Sequence, residues 1–128
     1  MDKRIDNTNL PFINDKNIFG VWECVDYIKD INDFDVLNTH TLPPEPYLTA
    51  LKFLSHGEVQ ISIKGRKLDI TSFTWTKDYI INKSDETCAS YVIKNINGED
   101  YLFFEWKDGS YSYKYEQPNF YVLRRVTA

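Results

Sequence analysis

The chain has 128 residues, 42% hydrophobic and 27% charged, which is typical of one folded domain and excludes a disordered chain. Its formal net charge of −4 argues against binding of a nucleic-acid polymer, which needs a basic surface to displace counterions. Aromatic residues make up 16% of the chain, a level that suits β-structure and ligand cavities.

The first part of the chain combines a polar arm with one clear strand. Residues 1–17 are predicted to form a loose N-terminal arm, whose segment 10–13 lies against the main body. Residues 20–27 alternate and predict a strand, with Val21, Glu23, Val25 and Tyr27 on one face and Trp22, Cys24 and Asp26 on the other. Residues 28–37 indicate a short helical turn. A proline-rich loop follows at 38–46.

Short strands then follow one another, separated by turn signals. They are predicted at residues 47–54, 58–64, 71–76 with a continuation over 79–82, 88–96, 99–107, 111–115 and 120–126. Asn97 and Gly98 form the strongest hairpin signal, because both accept a positive φ.

This succession of strands indicates an antiparallel meander, and closure into a barrel removes the exposed edges of such a sheet. We therefore predict an all-β fold, a single antiparallel up-and-down barrel of about eight or nine strands. The barrel domain spans residues 18–128, behind the arm at 1–17.

The chain shows no segment that is typical of a leader or of a membrane span. Its first 17 residues lack an apolar core, and no run approaches the roughly 18 apolar residues that a transmembrane helix needs. Two cysteines, Cys24 and Cys88, are too few for a disulfide scaffold. We expect a cytoplasmic protein with two free thiols and no membrane insertion.

Both ends of the chain resemble the lipocalin and fatty-acid-binding (calycin) barrels. Those families open with Gly-x-Trp on the first strand, matched here by Gly20 and Trp22. They also carry an arginine on the last strand, matched by Arg124 or Arg125.

A longer likeness covers most of the chain. The segments "GVWECVDYIKDINDF", "YLTALKFLSHG", "FTWTKDYIINKSDETCASYVIKNINGEDYLFFEWKDGSY" and "QPNFYVLRRV" resemble a small lipocalin-like domain of Firmicutes. That domain occurs as stand-alone proteins and at the C-terminus of some β-lactam-sensing metalloprotease receptors. The resemblance implies a lipocalin-like barrel with a binding role in a bacterial protein, but no particular ligand. Asp78 and Ser110 depart from the family pattern, and no zinc-protease motif is present.

The Gly-x-Trp segment and the two terminal arginines form the first candidate site. In the functional interpretation, a guanidinium binds a ligand carboxylate through two parallel hydrogen bonds. In the structural interpretation, an arginine packs on Trp22 and closes the barrel floor by a cation–π contact. We favour the structural interpretation for Gly20, Trp22 and Arg125, and place Arg124 among the ligand-binding candidates.

A second candidate site combines Trp75 with Lys77 and Glu105 with Lys107, because each pair shares one face of its predicted strand. Facing inward, these rings and charges would orient a polar, planar ligand. Facing outward, they would form cross-strand ion pairs of little net stability. Both arrangements remain open, since the opposite face of the 99–107 strand is equally suited to an interior.

A third candidate is a ladder of tyrosines, with Tyr111, Tyr113 and Tyr115 on one face of a predicted strand. Such rings can stack a flat group, each contributing about 1–3 kcal/mol in nucleic-acid examples. Packing alone also explains them, because tyrosine suits strands, and we favour packing. Tyr111 and Tyr113 nevertheless stay among the ligand-binding candidates.

No motif in the sequence predicts catalysis. His40 and His56 stand alone, no spacing resembles a metal site, and no phosphate-binding loop or nucleophile elbow occurs. Glu105 has no placed partner for acid–base chemistry, and the cysteines lack a reactive motif. We expect a protein that is not an enzyme, with no cofactor, no metal and no catalytic residue.

The expected function is binding of a small ligand inside the barrel, for sensing, carrying or sequestering an amphipathic or planar metabolite or signal. One alternative is a protein–protein interaction module or inhibitor with a filled barrel, which leaves a homodimer or a protein partner open. A second is a phage-type sponge that sequesters a nucleotide-like defence signal without turnover. A small enzyme on the same barrel would need a carboxylate or lysine with a shifted pKa in the pocket.

Overall fold

The computed structural model of the protein describes residues 4–36, 48–63, 66–68, 73–107 and 109–126. The strands in these ranges are Gly20–Ile28 (β1), Leu48–Phe53 (β2), Val59–Ile63 (β3), Arg66–Leu68 (β4), Phe73–Thr76 (β5), Tyr79–Asn82 (β6), Thr87–Ile96 (β7), Glu99–Trp106 (β8) and Asn119–Arg125 (β9). The same ranges contain two 3-10 turns, Ile31–Asp33 and Ser55–Gly57, and one short helix, Gly109–Lys114 (α1). The predicted loop at 38–46, with His40, lies outside the described residues.

The nine described strands form one antiparallel sheet in which chain neighbours pair, in the order β4-β3-β2-β1-β9-β8-β7-β6-β5. The first strand therefore pairs with both β2 and the last strand. An isolated antiparallel bridge between Glu58 and Thr74 connects the start of β3 to β5. The predicted fold class is confirmed: the protein is an all-β, up-and-down antiparallel barrel that is nearly closed.

Alternation along the strands separates an interior face from an outer face. On β8, Leu102 and Phe104 pack in the interior cluster, whereas Tyr101 and Phe103 belong to a smaller cluster outside the barrel. The chain after β1 covers this outer cluster, because the ring of Phe34 lies 5.1 Å from that of Tyr101 and 5.5 Å from that of Phe103. Strand β8 therefore carries apolar side chains on both faces. Its outer face packs against the chain that follows β1 and does not line a ligand pocket.

One end of the interior is closed by the start of β1 and the end of β9. Trp22 is fully buried, and its indole N–H donates to the carbonyl of Ile18 at 2.9 Å. The Arg125 guanidinium lies 4.3 Å from the Trp22 ring centroid and donates to the carbonyl of Phe19. Gly20 lies beside this guanidinium and has a φ of +117°, a backbone conformation that favours glycine. We call this region the floor.

The N-terminal arm lies against the barrel instead of hanging free. Thr76 Oγ1 accepts from the backbone N–H of Ile13 at 2.6 Å, and the N–H of Lys77 donates to the Ile13 carbonyl at 2.9 Å. Further along the arm, the hydroxyl of Tyr91 donates to Asp15 at 2.7 Å. Burial and this acceptor carboxylate raise the pKa of Tyr91. The arm is thus joined to β5, to the turn that follows it and to β7 by hydrogen bonds.

The strand predicted at residues 111–115 is wrong, because this segment lies in and just after helix α1. Strands β8 and β9 pair directly with each other, and their other edges pair with β7 and β1. The connecting segment therefore has no free edge to join. Tyr111 is buried in the helix, whereas Tyr113 and, just after the helix, Tyr115 are exposed, so the three rings do not form a ladder.

The predicted continuation of one strand from residue 71 through residue 82 also needs correction. The described part forms a tight hairpin, in which Thr76 of β5 pairs with Tyr79 of β6. Between them, Asp78 takes a φ of 74°, a conformation that aspartate tolerates better than most residues. The polar pair Lys77 and Asp78 is therefore a turn, and β6 is a separate strand.

Candidate functional site

The candidate site begins with an irregularity in β1. Cys24 pairs with Leu123 of β9, but Asp26 pairs with the next residue, Val122, so one extra residue is inserted in β1. After this bulge, Tyr27 pairs with Tyr121 and packs in the interior cluster. Simple alternation had predicted Tyr27 on the face opposite Trp22. That prediction is wrong, because the bulge reverses the side on which the following residues point.

Four interior rings meet at the end of β1 away from the floor, and we call Tyr27, Phe104, Trp106 and Tyr121 the aromatic end. The ring centroids of Tyr27 and Tyr121 are 4.6 Å apart, those of Trp106 and Tyr121 5.2 Å, and those of Phe104 and Trp106 5.9 Å. The last two contacts are edge-to-face, an arrangement that aromatic quadrupoles favour. The end of β8, the start of β9 and the bulged end of β1 therefore combine to form one aromatic surface.

The aromatic end is less buried than the floor. Trp22 and Trp75 are 0% and 1% exposed, whereas Tyr27 and Trp106 each keep part of their surface exposed. Tyr27 also carries a polar contact, because the side-chain amide of Asn119 donates from Nδ2 to its hydroxyl at 3.2 Å. Neither Tyr27 nor Asn119 was a candidate from the sequence, since an inserted residue in a strand leaves no local signal in its alternation.

Glu105 and Lys107, whose direction the sequence left open, lie on the outer face of the barrel. Glu105 pairs with Phe120 on β9, and its Oε1 accepts from the N–H and hydroxyl of Ser90 at 2.8 Å each. Lys107 Nζ lies 4.0 Å from the same carboxylate oxygen. Because Phe104 and Trp106 occupy the interior face of this strand, the alternating Glu105 and Lys107 cannot reach the interior.

These outer charges belong to a polar cluster that joins the arm, β7, β8 and α1. Asp6 accepts from Lys107 Nζ at 3.0 Å, from the Tyr111 hydroxyl at 2.6 Å and from the Cys88 N–H at 2.9 Å. The Arg4 guanidinium lies 4.3 Å from the centroid of the Tyr111 ring. We call this set of residues the arm cluster. Its geometry is that of a structural network, because Asp6, Glu105 and Lys107 each have hydrogen-bond or ion-pair partners within the protein.

Two pKa values in the arm cluster move in the directions that favour its charged forms. Burial by itself raises the pKa of Asp6, but the hydrogen bonds from Cys88, Tyr111 and Lys107 outweigh burial and lower it. Burial lowers the pKa of Lys107, but Asp6 and Glu105 outweigh it and raise that pKa. The two directions agree with an ion pair between Asp6 and Lys107.

The other predicted ligand-binding residues are dispersed. Trp75 packs at the floor, with its indole N–H donating to the carbonyl of Leu54 at 2.8 Å, while Lys77 is exposed in the hairpin turn. Tyr113 points outward from α1 and is 56% exposed. Arg124 is also exposed, and its Nη1 lies 3.8 Å from a carboxylate oxygen of Glu99. The structure therefore does not bring the predicted ligand-binding set together.

The two cysteines are free thiols in partly buried positions. Burial raises the pKa of Cys24 to about 11, and burial also raises the pKa of Cys88. Because the thiolate is the nucleophile, both thiols are weakly reactive near neutral pH.

Within the described ranges, no group of three or more His, Cys, Asp or Glu side chains is arranged to hold a metal ion. A search of those same residues finds no helix with the length and apolarity that a membrane crossing requires.

The fold and the site together define a small up-and-down β-barrel with a packed floor and a partly exposed aromatic end. Comparison of the chain with protein-family models, with curated proteins and with solved structures finds no match.

Proposed function

We propose that the protein binds a small planar or amphipathic ligand, without catalysis, at the aromatic end of its barrel. The observation that carries this proposal is the partial exposure of Tyr27 and Trp106 on the interior side of the sheet, beside the buried rings of Phe104 and Tyr121. Exposed interior rings are a surface that a flat ligand can cover, and each such stack contributes about 1–3 kcal/mol in nucleic-acid examples.

The position of the rings supports the same proposal. The floor is closed by Trp22 and Arg125, so a ligand would enter from the aromatic end and not from the floor. The bulge in β1 serves this arrangement, because it alone turns Tyr27 inward. Sensing, carrying or sequestering a metabolite or signal all fit a site of this kind.

The resemblance to lipocalin-like domains supports a binding role in a bacterial protein. The two free cysteines support a reducing compartment such as the cytoplasm. These attributes are part of the proposal.

The first test is mass spectrometry of the purified protein under native and then denaturing conditions. A mass difference that disappears on denaturation identifies a co-purified ligand and gives its mass. The same preparation, stripped of ligand, is then titrated with that compound while tryptophan emission is recorded. Trp106 is the partly exposed tryptophan, so binding at the aromatic end changes an emission that Trp106→Phe removes.

Affinity is then compared in two variants measured by calorimetry. Trp106→Leu removes one stacking surface and is expected to weaken binding about tenfold to a hundredfold. Tyr79→Phe serves as the matched control, because it changes an exposed ring at the first residue of β6. Its affinity for the ligand should equal that of the wild type. If no compound co-purifies and no metabolite raises the melting temperature, the proposal fails, and a protein partner becomes the better explanation.

A further inference from the structure

Tyr27 and Asn119 form a neutral polar pair at the aromatic end. The side-chain amide of Asn119 lies 3.2 Å from the hydroxyl of Tyr27, and both residues are partly exposed. Tyr27 comes from the bulged end of β1 and Asn119 is the first residue of β9. The pair therefore stands at the edge of the ring surface formed with Tyr121 and Trp106.

The hydrogen-bonding capacity of this pair exceeds the one bond within it. When the amide N–H donates to the hydroxyl oxygen, the tyrosine O–H and the amide carbonyl remain as a donor and an acceptor. When the hydroxyl instead donates to the amide carbonyl, the amide N–H groups and the phenolic oxygen remain. In either orientation, the pair offers at least one donor and one acceptor side by side.

The charged side chains that the sequence suggested for orienting a ligand lie elsewhere. Glu105 and Lys107 are on the outer face in the arm cluster, and Arg124 faces Glu99 outside the barrel. Arg125 is engaged at the floor by Asp100 and the Trp22 ring.

We propose that the aromatic end recognises a neutral planar group carrying an acceptor and a donor next to each other, as in a carboxamide, a lactam or a nucleobase edge. This inference rests on the proposed function and narrows its ligand class. A carboxylate or a fully ionised phosphate is disfavoured, because it has no proton to donate to the acceptor of the pair, and Lys107 and Arg124, the cations that the sequence suggested, are paired elsewhere among the described residues. The tyrosine–asparagine pair acts as the recognition element, and the rings supply the stacking surface.

The test uses three quinolines that share one ring system and differ in a single substituent. They are quinoline-3-carboxamide, quinoline-3-carboxylate and 3-methylquinoline, each titrated into the full chain near neutral pH by saturation-transfer NMR. The carboxamide is expected to bind at least about tenfold more tightly than the carboxylate. The methyl compound reports stacking on the rings alone.

Two variants assign the preference to the pair. Tyr27→Phe and Asn119→Ala are each expected to weaken carboxamide binding about threefold to tenfold, with the affinity of 3-methylquinoline unchanged within about twofold. Tyr79→Phe is the matched control. Urea denaturation of each variant establishes that it is folded before its affinity is compared.

The outcomes separate this inference from the proposed function. If 3-methylquinoline binds but the carboxylate equals or exceeds the carboxamide, the neutral-edge inference is overturned while ligand binding stands. Equal carboxamide affinity in the wild type and in both variants overturns it as well. If none of the three compounds binds up to its solubility limit and no ligand co-purifies, both proposals are overturned.

Discussion

Replacing Asp6 by asparagine is expected to destabilise the protein by about 2 kcal/mol near neutral pH. The carboxylate accepts hydrogen bonds from Lys107, Tyr111 and Cys88, two of them from side chains of other elements. A hydrogen bond to a charged group contributes about 1.5–3 kcal/mol. The expected loss of stability is smaller than the sum of these bonds, because asparagine keeps one acceptor oxygen. Solvent reduces it further, since the Asp6 and Lys107 side chains are 17% and 13% exposed.

The pH dependence of this effect follows from the lowered pKa of Asp6, whose ordinary value is 3.8. A carboxyl group with a lower pKa in the folded state stabilises the fold above its unfolded pKa. That stability is lost as the pH falls through the folded pKa. The difference in unfolding free energy between wild type and Asp6→Asn should therefore be complete near pH 7 and shrink as the pH falls below 3.8.

The assay is urea denaturation followed by tryptophan fluorescence at a series of pH values. Glu116→Gln is the matched control, because Glu116 is exposed just after α1, and its unfolding free energy should change by less than about 0.5 kcal/mol. Equal stability of wild type and Asp6→Asn at pH 7 would refute the reasoning. A difference in unfolding free energy that stays constant as the pH falls well below 3.8 would also refute the reasoning, because it would not depend on the charge of Asp6.

Other predictions concern the floor, the turns and the thiols. Arg125→Met should lower the unfolding free energy by about 2–3 kcal/mol in urea denaturation, because the contact with Trp22 and the hydrogen bond to the partly buried carbonyl of Phe19 are lost. An unchanged value would show that the floor does not need the guanidinium. Gly57→Ala should lower the melting temperature more than Gly98→Ala does. Both glycines have a positive φ, but a Cβ at Gly57 would lie 3.0 Å from a backbone carbonyl of β5, whereas a Cβ at Gly98 would meet open space. Equal decreases in melting temperature would contradict this steric argument. Iodoacetamide should alkylate Cys24 of the native protein more slowly than that of the urea-unfolded chain at pH 8, because burial raises its pKa to about 11; equal rates would disprove this.

The strands were largely predictable because their signals are local. Alternation placed β1, β2, β7, β8 and β9 within about two residues of their bounds. The hairpin between β7 and β8 turns at Asn97 and Gly98, which take φ of 53° and 86° as that pair of residues predicts. The barrel then follows from the physical need of a meander to pair its edges.

The site was not predictable, because it depends on which side of each strand faces inward and on one inserted residue. The residue pattern of β8 would allow either of its faces to point into the barrel. The outer face is decided by the segments that cover it, because the arm, α1 and Phe34 lie over the side that bears Glu105 and Lys107. The segment around Tyr111 has a strand's alternation but becomes helical, since the strands on both sides of it are already paired.

The sequence by itself therefore determined the class of fold, since hydrophobic alternation and turn chemistry act between residues that are close along the chain. Only the tertiary structure decided the functional surface. The inward position of Tyr27 depends on a bulge in the pairing of β1 with β9, two strands at opposite ends of the chain. The contact between Tyr27 and Asn119 depends on the same pairing, and spans 92 positions of the chain. Such contacts exist only once the first and last strands have closed the barrel.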